Sequence, residues 1–129
     1  MQKIYYLASC STCVRIIKDL ELKGENFEFQ DIKTEKITPA QVAEMKKMAG
    51  SYEVLFSRVA MKYRALGLDK KELTEEEYKK YILSEYTFLK RPVIITGDKI
   101  FIGNSKSTIA AVKKEIQPSA FKVEPRNDL

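Results

Sequence analysis

The order of strand-like and helix-like segments constrains the fold of this 129-residue chain more than any other feature. Residues 3–8 combine β-branched and aromatic side chains, as a buried strand does. Residues 11–23 repeat apolar side chains at helical spacing, and Gly24 stands where a C-cap glycine belongs. Residues 26–32 alternate, which is typical of a second strand. The start of the chain therefore predicts a β-α-β unit.

The middle of the chain, about residues 37–90, predicts helices and no strand. Thr38 supplies an N-cap before a first-turn proline. A second helix is predicted over residues 57–66, and a third begins at Thr74, where Glu77 completes a capping box. This stretch reads as a helical insertion.

Strand signals return after the insertion. Residues 91–96 and 99–102 flank Gly97-Asp98, a two-residue hairpin signal, and a helical pattern runs from residue 107 to about residue 116. This β-β-α order complements the β-α-β unit at the start. We therefore predict an α/β protein with a thioredoxin-like mixed sheet and a helical insertion.

Length and composition bound the architecture and the class of protein. A chain of 129 residues suffices for one hydrophobic core, so we predict a single domain over residues 1–117 and a flexible tail over 118–129. Apolar runs reach only about five residues, and no secretory signal opens the sequence, so we expect a cytoplasmic protein without membrane contact. The net charge of +5 comes from cations interleaved with acids, and we expect no direct nucleic-acid binding.

Cys10 and Cys13, the two cysteines of the sequence, stand where the first predicted strand passes into the first helix. Unpaired N–H groups and the positive end of the helix dipole stabilise a thiolate there, lowering the thiol pKa from about 8.5. Cys10 would therefore act as a nucleophile. Cys13, three residues on and on the same helix face, could resolve a mixed disulfide by forming a Cys10–Cys13 bond.

Two other interpretations of these thiols stay open. Zinc needs about four ligands, and a chain with two cysteines and no histidine could supply them only by pooling thiolates in a dimer. The thiols could also be core residues, since free cysteine is often buried. The position after a strand and at a helix start favours the redox interpretation, and we expect no metal and no bound cofactor.

Two arginines and a proline are further candidates. Arg91-Pro92 begins the third predicted strand, where a cis-proline of a thioredoxin-like fold would face the active site; alternatively, Pro92 merely begins a strand. Arg58 stands at the start of the predicted helix over 57–66. Two guanidinium groups beside a cysteine nucleophile would lower its pKa further and could hold an oxyanion; taken without a family context, the sequence favours a surface position for each arginine.

Three groups of residues occur in a spacing typical of one known family. They are Cys10-Ser11-Thr12-Cys13; Arg58 followed by Tyr63-x-x-Leu66-Gly67-Leu68; and Leu89-Lys90-Arg91-Pro92-Val93-Ile94 leading to Ile102-Gly103-Asn104. Over about residues 3–116 the chain thus resembles the ArsC/Spx family, which comprises glutaredoxin-dependent arsenate reductases and Spx redox regulators. The resemblance implies a thioredoxin-like fold with a helical insertion.

The resemblance also implies roles for individual residues. These are Cys10 as the redox-active cysteine, Pro92 as the cis-proline, and Arg58 and Arg91 as matches to oxyanion-binding arginines. Cys10, Cys13, Arg58 and Arg91 are therefore the candidate catalytic residues, and we expect Ser11, Thr12 and Pro92 in the substrate loop. In the reductase branch the cysteine attacks arsenate, glutathione and glutaredoxin reduce the adduct, and arsenite is released.

The chain departs from the reductase branch at two positions. Tyr6 stands near the place of a histidine that precedes the reductase cysteine, and Gly103 stands near the place of a third arginine. Both changes remove groups that stabilise an anion or a thiolate. With Cys13 and Gly103 the chain is closer to Spx, in which a Cys-x-x-Cys switches a regulator bound to the RNA polymerase α subunit.

The leading interpretation is an enzyme, a thiol-disulfide oxidoreductase in which Cys10 attacks and Cys13 resolves. Its substrate would be a small oxyanion such as arsenate, or a thiol compound, and its reductant glutathione with glutaredoxin, or thioredoxin. The alternative is a non-enzymatic, Spx-like regulator that binds the RNA polymerase α subunit. A third interpretation is a family member that has lost both functions.

Overall fold

A mixed four-stranded sheet forms the centre of the computed structural model, which describes residues 2–116. Its strands are β1 (Gln2–Tyr6), β2 (Glu28–Asp31), β3 (Val93–Thr96) and β4 (Lys99–Ile102). They lie in the order β2-β1-β3-β4, with β1 parallel to β2 and antiparallel to β3, and β3 antiparallel to β4. The predicted thioredoxin-like α/β fold is confirmed, whereas the predicted tail, 118–129, lies outside the described residues.

Helices cover both faces of the sheet. The α-helices are α1 (Ser11–Asp19), α2 (Pro39–Ala49), α3 (Met61–Ala65), α4 (Glu75–Ser84) and α5 (Lys106–Ile116). Because successive residues of a strand point to opposite faces, Ile4 packs with α1 and α5 while its neighbour Tyr5 packs with the insertion. Within residues 2–116, no helix combines the length and apolar character that crossing a membrane requires.

The first helix ends earlier than predicted, and Gly24 is not its cap. Helix α1 ends at Asp19, and Glu21 takes the left-handed conformation with a φ of 55°. The N–H of Leu22 donates to the carbonyl oxygen of Ile17 at 3.0 Å, the long hydrogen bond of a Schellman motif. This turn leaves Leu22 only 6% exposed. Burying a leucine contributes about 1.5–3 kcal/mol, which offsets the roughly 1–2 kcal/mol cost of a non-glycine residue in that conformation.

The second helix of the insertion is also shorter than predicted over 57–66. It is α3, and Arg58 lies in a turn before it rather than at its start. Just before this turn the backbone is extended at Phe56, and the N–H of Ser57 donates to the carbonyl oxygen of Phe88 at 2.7 Å. This pairing holds Phe56 at 0% exposure in the core. Tertiary packing therefore overrides the local helical signal at Arg58.

The other two insertion helices start where their caps predict. The Thr38 side chain accepts from the N–H of Gln41, and the Thr74 side chain accepts from the N–H of Glu77. In both boxes the side chain of the third helical residue accepts in return from the backbone N–H of the threonine. Helix α4 lies beside the segment that carries Arg58, because Tyr78 of α4 accepts a hydrogen bond from Arg58.

Candidate active site

The two thiols lie at the point where β1 feeds into α1. Cys10 is the N-cap residue of α1, and its N–H donates to the carbonyl oxygen of Leu7 at 3.0 Å. The carbonyl oxygen of Cys10 accepts from the N–H of Val14 at 3.1 Å, which closes the first turn around Cys13. Both cysteines are free thiols; Cys10 is half-buried and Cys13 is 0% exposed. A reactant from solvent therefore meets Cys10 before Cys13.

The pKa of the Cys10 thiol is lowered from its ordinary value. Burial is the largest single influence and acts to raise this pKa, but several groups together exceed it. They are the N–H and the thiol of Cys13, the N–H of Thr12 and the positive charge of Arg91. Hydrogen bonds and opposite charge both stabilise the thiolate. The N-cap position thus favours the thiolate form of Cys10.

Cys13 has the opposite ionisation behaviour. The pKa of its thiol is raised to about 11, mainly by burial and in part by the neighbouring Cys10, because two adjacent thiolates repel. Near neutral pH, Cys13 therefore keeps its proton and donates to the Cys10 sulfur. The two thiols therefore differ in how readily they ionise.

Arg91 is tied to the backbone beside these thiols. Its Nη1 donates to the carbonyl oxygens of Leu89 at 2.9 Å and Thr87 at 3.1 Å. Its Nε is buried without a hydrogen-bond partner among the described residues. The Arg91–Pro92 peptide bond is cis, as the family resemblance implies. The guanidinium group is thus fixed in place with donor capacity left over.

A cleft of about 390 Å³ opens next to Arg91. Its lining residues are Phe56, Ser57, Arg58, Val59, Lys90, Arg91, Gly103 and Asn104. The structure therefore brings the two predicted arginines together and adds a third cation, Lys90. Cys10 and Cys13 are not among the lining residues, so Arg91 is the link between the cleft and the thiols.

Arg58 is already occupied by partners within the protein. Its Nη2 donates to Oε2 of Glu53 at 2.9 Å and to the hydroxyl oxygen of Tyr78 at 2.8 Å. Its guanidinium carbon lies 5.6 Å from the centre of the Tyr78 ring. Glu53 is the main cause of a raised Arg58 pKa. Of the two predicted arginines, Arg91 is the one whose charge lowers the pKa of Cys10.

Sequence reasoning missed Glu53 and recognised Tyr78 only as an apolar helix residue. Both come from segments whose approach to Arg58 depends on the packing of α4. The sequence does place Glu53 five residues before Arg58. This spacing indicates an ion pair only if the backbone between the two residues turns, and the sequence alone does not show that turn.

The remaining predicted site residues surround Cys10 or face the cleft. Ser11 begins α1, and the N–H of Thr12 contributes to the Cys10 thiolate. The carbonyl oxygen of Pro92 accepts from the N–H of Gly103 at 2.9 Å, which joins the start of β3 to a wall of the cleft. Across residues 2–116, no three Cys, Asp or Glu side chains come close enough together to hold a metal ion.

A sequence model of the ArsC family matches residues 5–112. The chain is also 26% identical over 102 residues to YusI, an uncharacterized protein of Bacillus subtilis (strain 168), which covers 77% of this chain and 86% of that protein.

Two solved structures are similar in fold to this chain. The solution structure of SACOL0876 from Staphylococcus aureus COL is 30% identical, covers 84% of this chain and 94% of its own, and has a TM-score of 0.67. An arsenate reductase from Vibrio cholerae has a TM-score of 0.72 and covers 85% of this chain and 95% of its own. Its identity of 13% makes this a likeness of fold alone.

Proposed function

The chain belongs to the ArsC family, a family of thiol oxidoreductases, and on that premise we propose that it is a thiol-disulfide oxidoreductase. Cys10 is the attacking thiol and Cys13 the resolving thiol. The observation that carries this proposal is the opposite pKa shift of two cysteines on one helical turn, lowered at the accessible Cys10 and raised at the buried Cys13.

The reaction runs in two exchanges. The Cys10 thiolate attacks one sulfur of a substrate disulfide, forms a mixed disulfide and releases the other sulfur as a thiolate. Cys13 then loses its proton and attacks the Cys10 sulfur, which forms the Cys10–Cys13 bond and releases the second substrate thiolate. Two electrons pass to the substrate, and a thiol reductant of a reducing cytoplasm, such as glutathione with glutaredoxin or thioredoxin, returns the pair to its dithiol form.

The test is whether mild oxidation with diamide joins the two thiols. Mass spectrometry of the oxidised full-length chain should find a mass lower by two hydrogen atoms and a peptide containing both cysteines. Cys10→Ser and Cys13→Ser are the matched controls, and neither should lose hydrogen as a monomer. Two free thiols in the oxidised native chain would rule the mechanism out.

Arsenate reduction is the narrower form of the proposal. Its support is the cleft in which Arg58, Lys90 and Arg91 meet, because guanidinium groups bind tetrahedral oxyanions through paired hydrogen bonds. In this form Cys10 attacks arsenate, and glutathione and glutaredoxin reduce the adduct. Incubation with arsenate, glutathione and glutaredoxin should then produce arsenite, and Cys10→Ser should produce none. Absence of arsenite from the native chain would eliminate this form and leave the disulfide exchange standing.

A second candidate is an Spx-like regulator that binds the RNA polymerase α subunit. Gly103 favours it, since it lines the cleft near the position where the reductases place a third arginine. A pull-down with the C-terminal domain of the α subunit, on reduced and on diamide-treated protein, tests it. Capture that differs between the two states is the expected result for a regulator, and no capture in either state excludes it.

A further inference from the structure

Two large apolar side chains project almost fully into solvent beside the candidate active site. Val59 is 89% exposed and Met61 is 90% exposed, more than any other large apolar side chain among residues 2–116. Val59 lies in the turn before α3, and Met61 is the first residue of α3. Apolar side chains that are scattered singly over a surface are ordinary, whereas a group of them beside a cleft is typical of an interaction surface.

Val59 and Arg91 each line two clefts. The first is the cleft of about 390 Å³ described above. The second has about 360 Å³, and its lining also includes Met61, Lys62 and Glu85. The two clefts therefore meet at Val59 and Arg91 and form one larger surface.

Buried backbone pairing holds this surface together. Phe56 and Leu89 form an antiparallel bridge, and the N–H of Lys90 donates to the carbonyl oxygen of Leu55 at 2.8 Å. Phe56 and Leu89 are both 0% exposed, so core packing supports the bridge. The pairing brings the segment with the two exposed apolar side chains alongside Arg91.

The charges of this surface leave two cations without an ionic partner. The other two cations form ion pairs with neighbouring carboxylates: Arg58 with Glu53 at 2.9 Å, and Lys62 with Glu85 at 3.4 Å. Neither Lys90 nor Arg91 forms an ion pair with a carboxylate of the residues that the structure describes. A positive surplus therefore lies next to the apolar side chains.

A ligand that covers this surface must be both apolar and negatively charged. A small oxyanion bound to Lys90 and Arg91 would leave Val59 and Met61 exposed. A planar lipid surface does not enter two separate hollows, whereas a polypeptide does, because its successive side chains can occupy different pockets. A second copy of this chain, paired through the same surface, would oppose positive charge with positive charge.

We propose that Val59, Met61, Lys90, Arg91 and the two clefts form a docking surface for a polypeptide segment with apolar and acidic side chains next to a disulfide-bonded cysteine, so that the substrate is a protein disulfide. This deepens the proposed function and rests on it for the reaction at Cys10. Apolar side chains of the segment pack on Val59 and Met61, and its carboxylates contact Lys90 and Arg91. The Cys10 thiolate then bonds to one sulfur of the substrate disulfide, whose S–S bond breaks, and the other sulfur leaves as a thiolate.

The probes are synthetic pentapeptides, each joined to a second copy of itself by a disulfide between the central cysteines. The first peptide has leucines and aspartates around its cysteine, the second has serines in place of the leucines, and the third has lysines in place of the aspartates. In the full-length Cys13→Ser variant the reaction stops at the mixed disulfide with Cys10, and mass spectrometry after acid quenching gives its rate of formation. Each rate is divided by the rate with hydroxyethyl disulfide, a small uncharged compound, which corrects for any change in the reactivity of Cys10 itself.

The leucine–aspartate peptide should react fastest relative to hydroxyethyl disulfide. Adding Val59→Ser and Met61→Ser together should lower its relative rate about tenfold, because the apolar contact is lost, and should leave the relative rate of the serine–aspartate peptide unchanged. Val54→Ser is the matched control, since Val54 is exposed but lines neither cleft, and it should change neither relative rate.

Equal relative rates for the three peptides would overturn the inference. An equal slowing of the leucine–aspartate and serine–aspartate peptides by the double variant would overturn it as well, since the effect would then not depend on apolar contact. The same holds if Val54→Ser slows the leucine–aspartate peptide as much as the double variant does.

A noncovalent measurement separates failure of this inference from failure of the proposed function. The leucine–aspartate peptide with serine in place of its cysteine should shift the backbone amide signals of Ala60 and Gly103, one from each cleft, in the NMR spectrum of the reduced native chain. No shift would overturn the docking surface while disulfide exchange at Cys10 still stands. Shifts without reaction of Cys10 with any disulfide would remove the proposed function and, with it, the assignment of a substrate.

Anionic lipid is the other partner class that an apolar and cationic surface fits. Vesicles of phosphatidylcholine and phosphatidylserine in equal parts should not sediment the native chain. Sedimentation of the native chain that is lost in the variant with Val59→Ser and Met61→Ser would overturn the inference, because the surface would then bind lipid.

Discussion

The thiol end of the site, Cys10 to Cys13, and its cation end, the cleft lined by Arg58, Lys90 and Arg91, are built in different ways. The thiol end is one turn of helix, and backbone N–H groups within three residues lower the Cys10 pKa. The cation end joins three segments that are distant in sequence and is held by α4. The lowered pKa of Cys10 is thus a local property of this protein, whereas the arrangement of charge in the cleft depends on how the insertion packs.

The largest expected effect is a loss of stability when the Phe56 ring, which packs next to the cation end, is removed. The Phe56 ring stacks on Phe88 at 5.1 Å and lies 4.9 Å from the Tyr78 ring. Phe56→Ala should lower the free energy of unfolding by about 3–5 kcal/mol, measured by urea denaturation. Val54→Ala, at a neighbouring exposed side chain, should change it by less than about 0.5 kcal/mol. A loss below about 1 kcal/mol for Phe56→Ala would mean that packing does not build this end.

The two thiols should differ sharply in their rate of alkylation. The Cys10 pKa lies below its ordinary value and the Cys13 pKa at about 11, and only the thiolate reacts. At pH 7, iodoacetamide should therefore label Cys10 at least about 100-fold faster than Cys13, counted by peptide mass spectrometry. The rate at Cys10 should level off as pH rises through its lowered pKa, while labelling of Cys13 should keep increasing. Comparable rates at pH 7 would show that the helix start does not separate the two sulfurs.

Removal of one hydroxyl should weaken the cation end moderately. Tyr78→Phe deletes the oxygen that accepts from Arg58, and the lost hydrogen bond should cost about 1 kcal/mol of unfolding free energy. Tyr81→Phe is the matched control on the same helix and should cost less than about 0.5 kcal/mol. Equal losses in the two variants would show that the bond to Arg58 contributes nothing specific.

The smallest expected effect is a change in the pKa of Cys10 when either of the two arginines loses its charge. Arg91→Gln should raise this pKa, because one positive charge near the thiolate is lost. Arg58→Gln should leave it unchanged, since Glu53 already compensates that charge. The pH dependence of Cys10 alkylation measures both. A shift of the same size in Arg58→Gln would place that guanidinium group in the field of the thiolate after all.

Much of the fold and of the thiol end could be predicted because their signals are local. Alternation, helical spacing and the caps at Thr38 and Thr74 identify strands and helices without knowledge of distant contacts. Predictions were wrong where burial outweighed a local signal. Leu22 ends α1 before Gly24, and the buried, extended backbone at Phe56 leaves Arg58 in a turn before α3.

By itself, the sequence determined the position of Cys10 at a helix N-terminus, because a strand pattern, two cysteines and a helix pattern follow one another without interruption. It also determined the order of elements from which the mixed sheet forms. Only the tertiary structure decided that Cys13 is buried and that Arg58 forms an ion pair with Glu53. Burial and ion pairing depend on which distant segments pack together, and no spacing along the chain records the approach of Glu53 and Tyr78 to one guanidinium group.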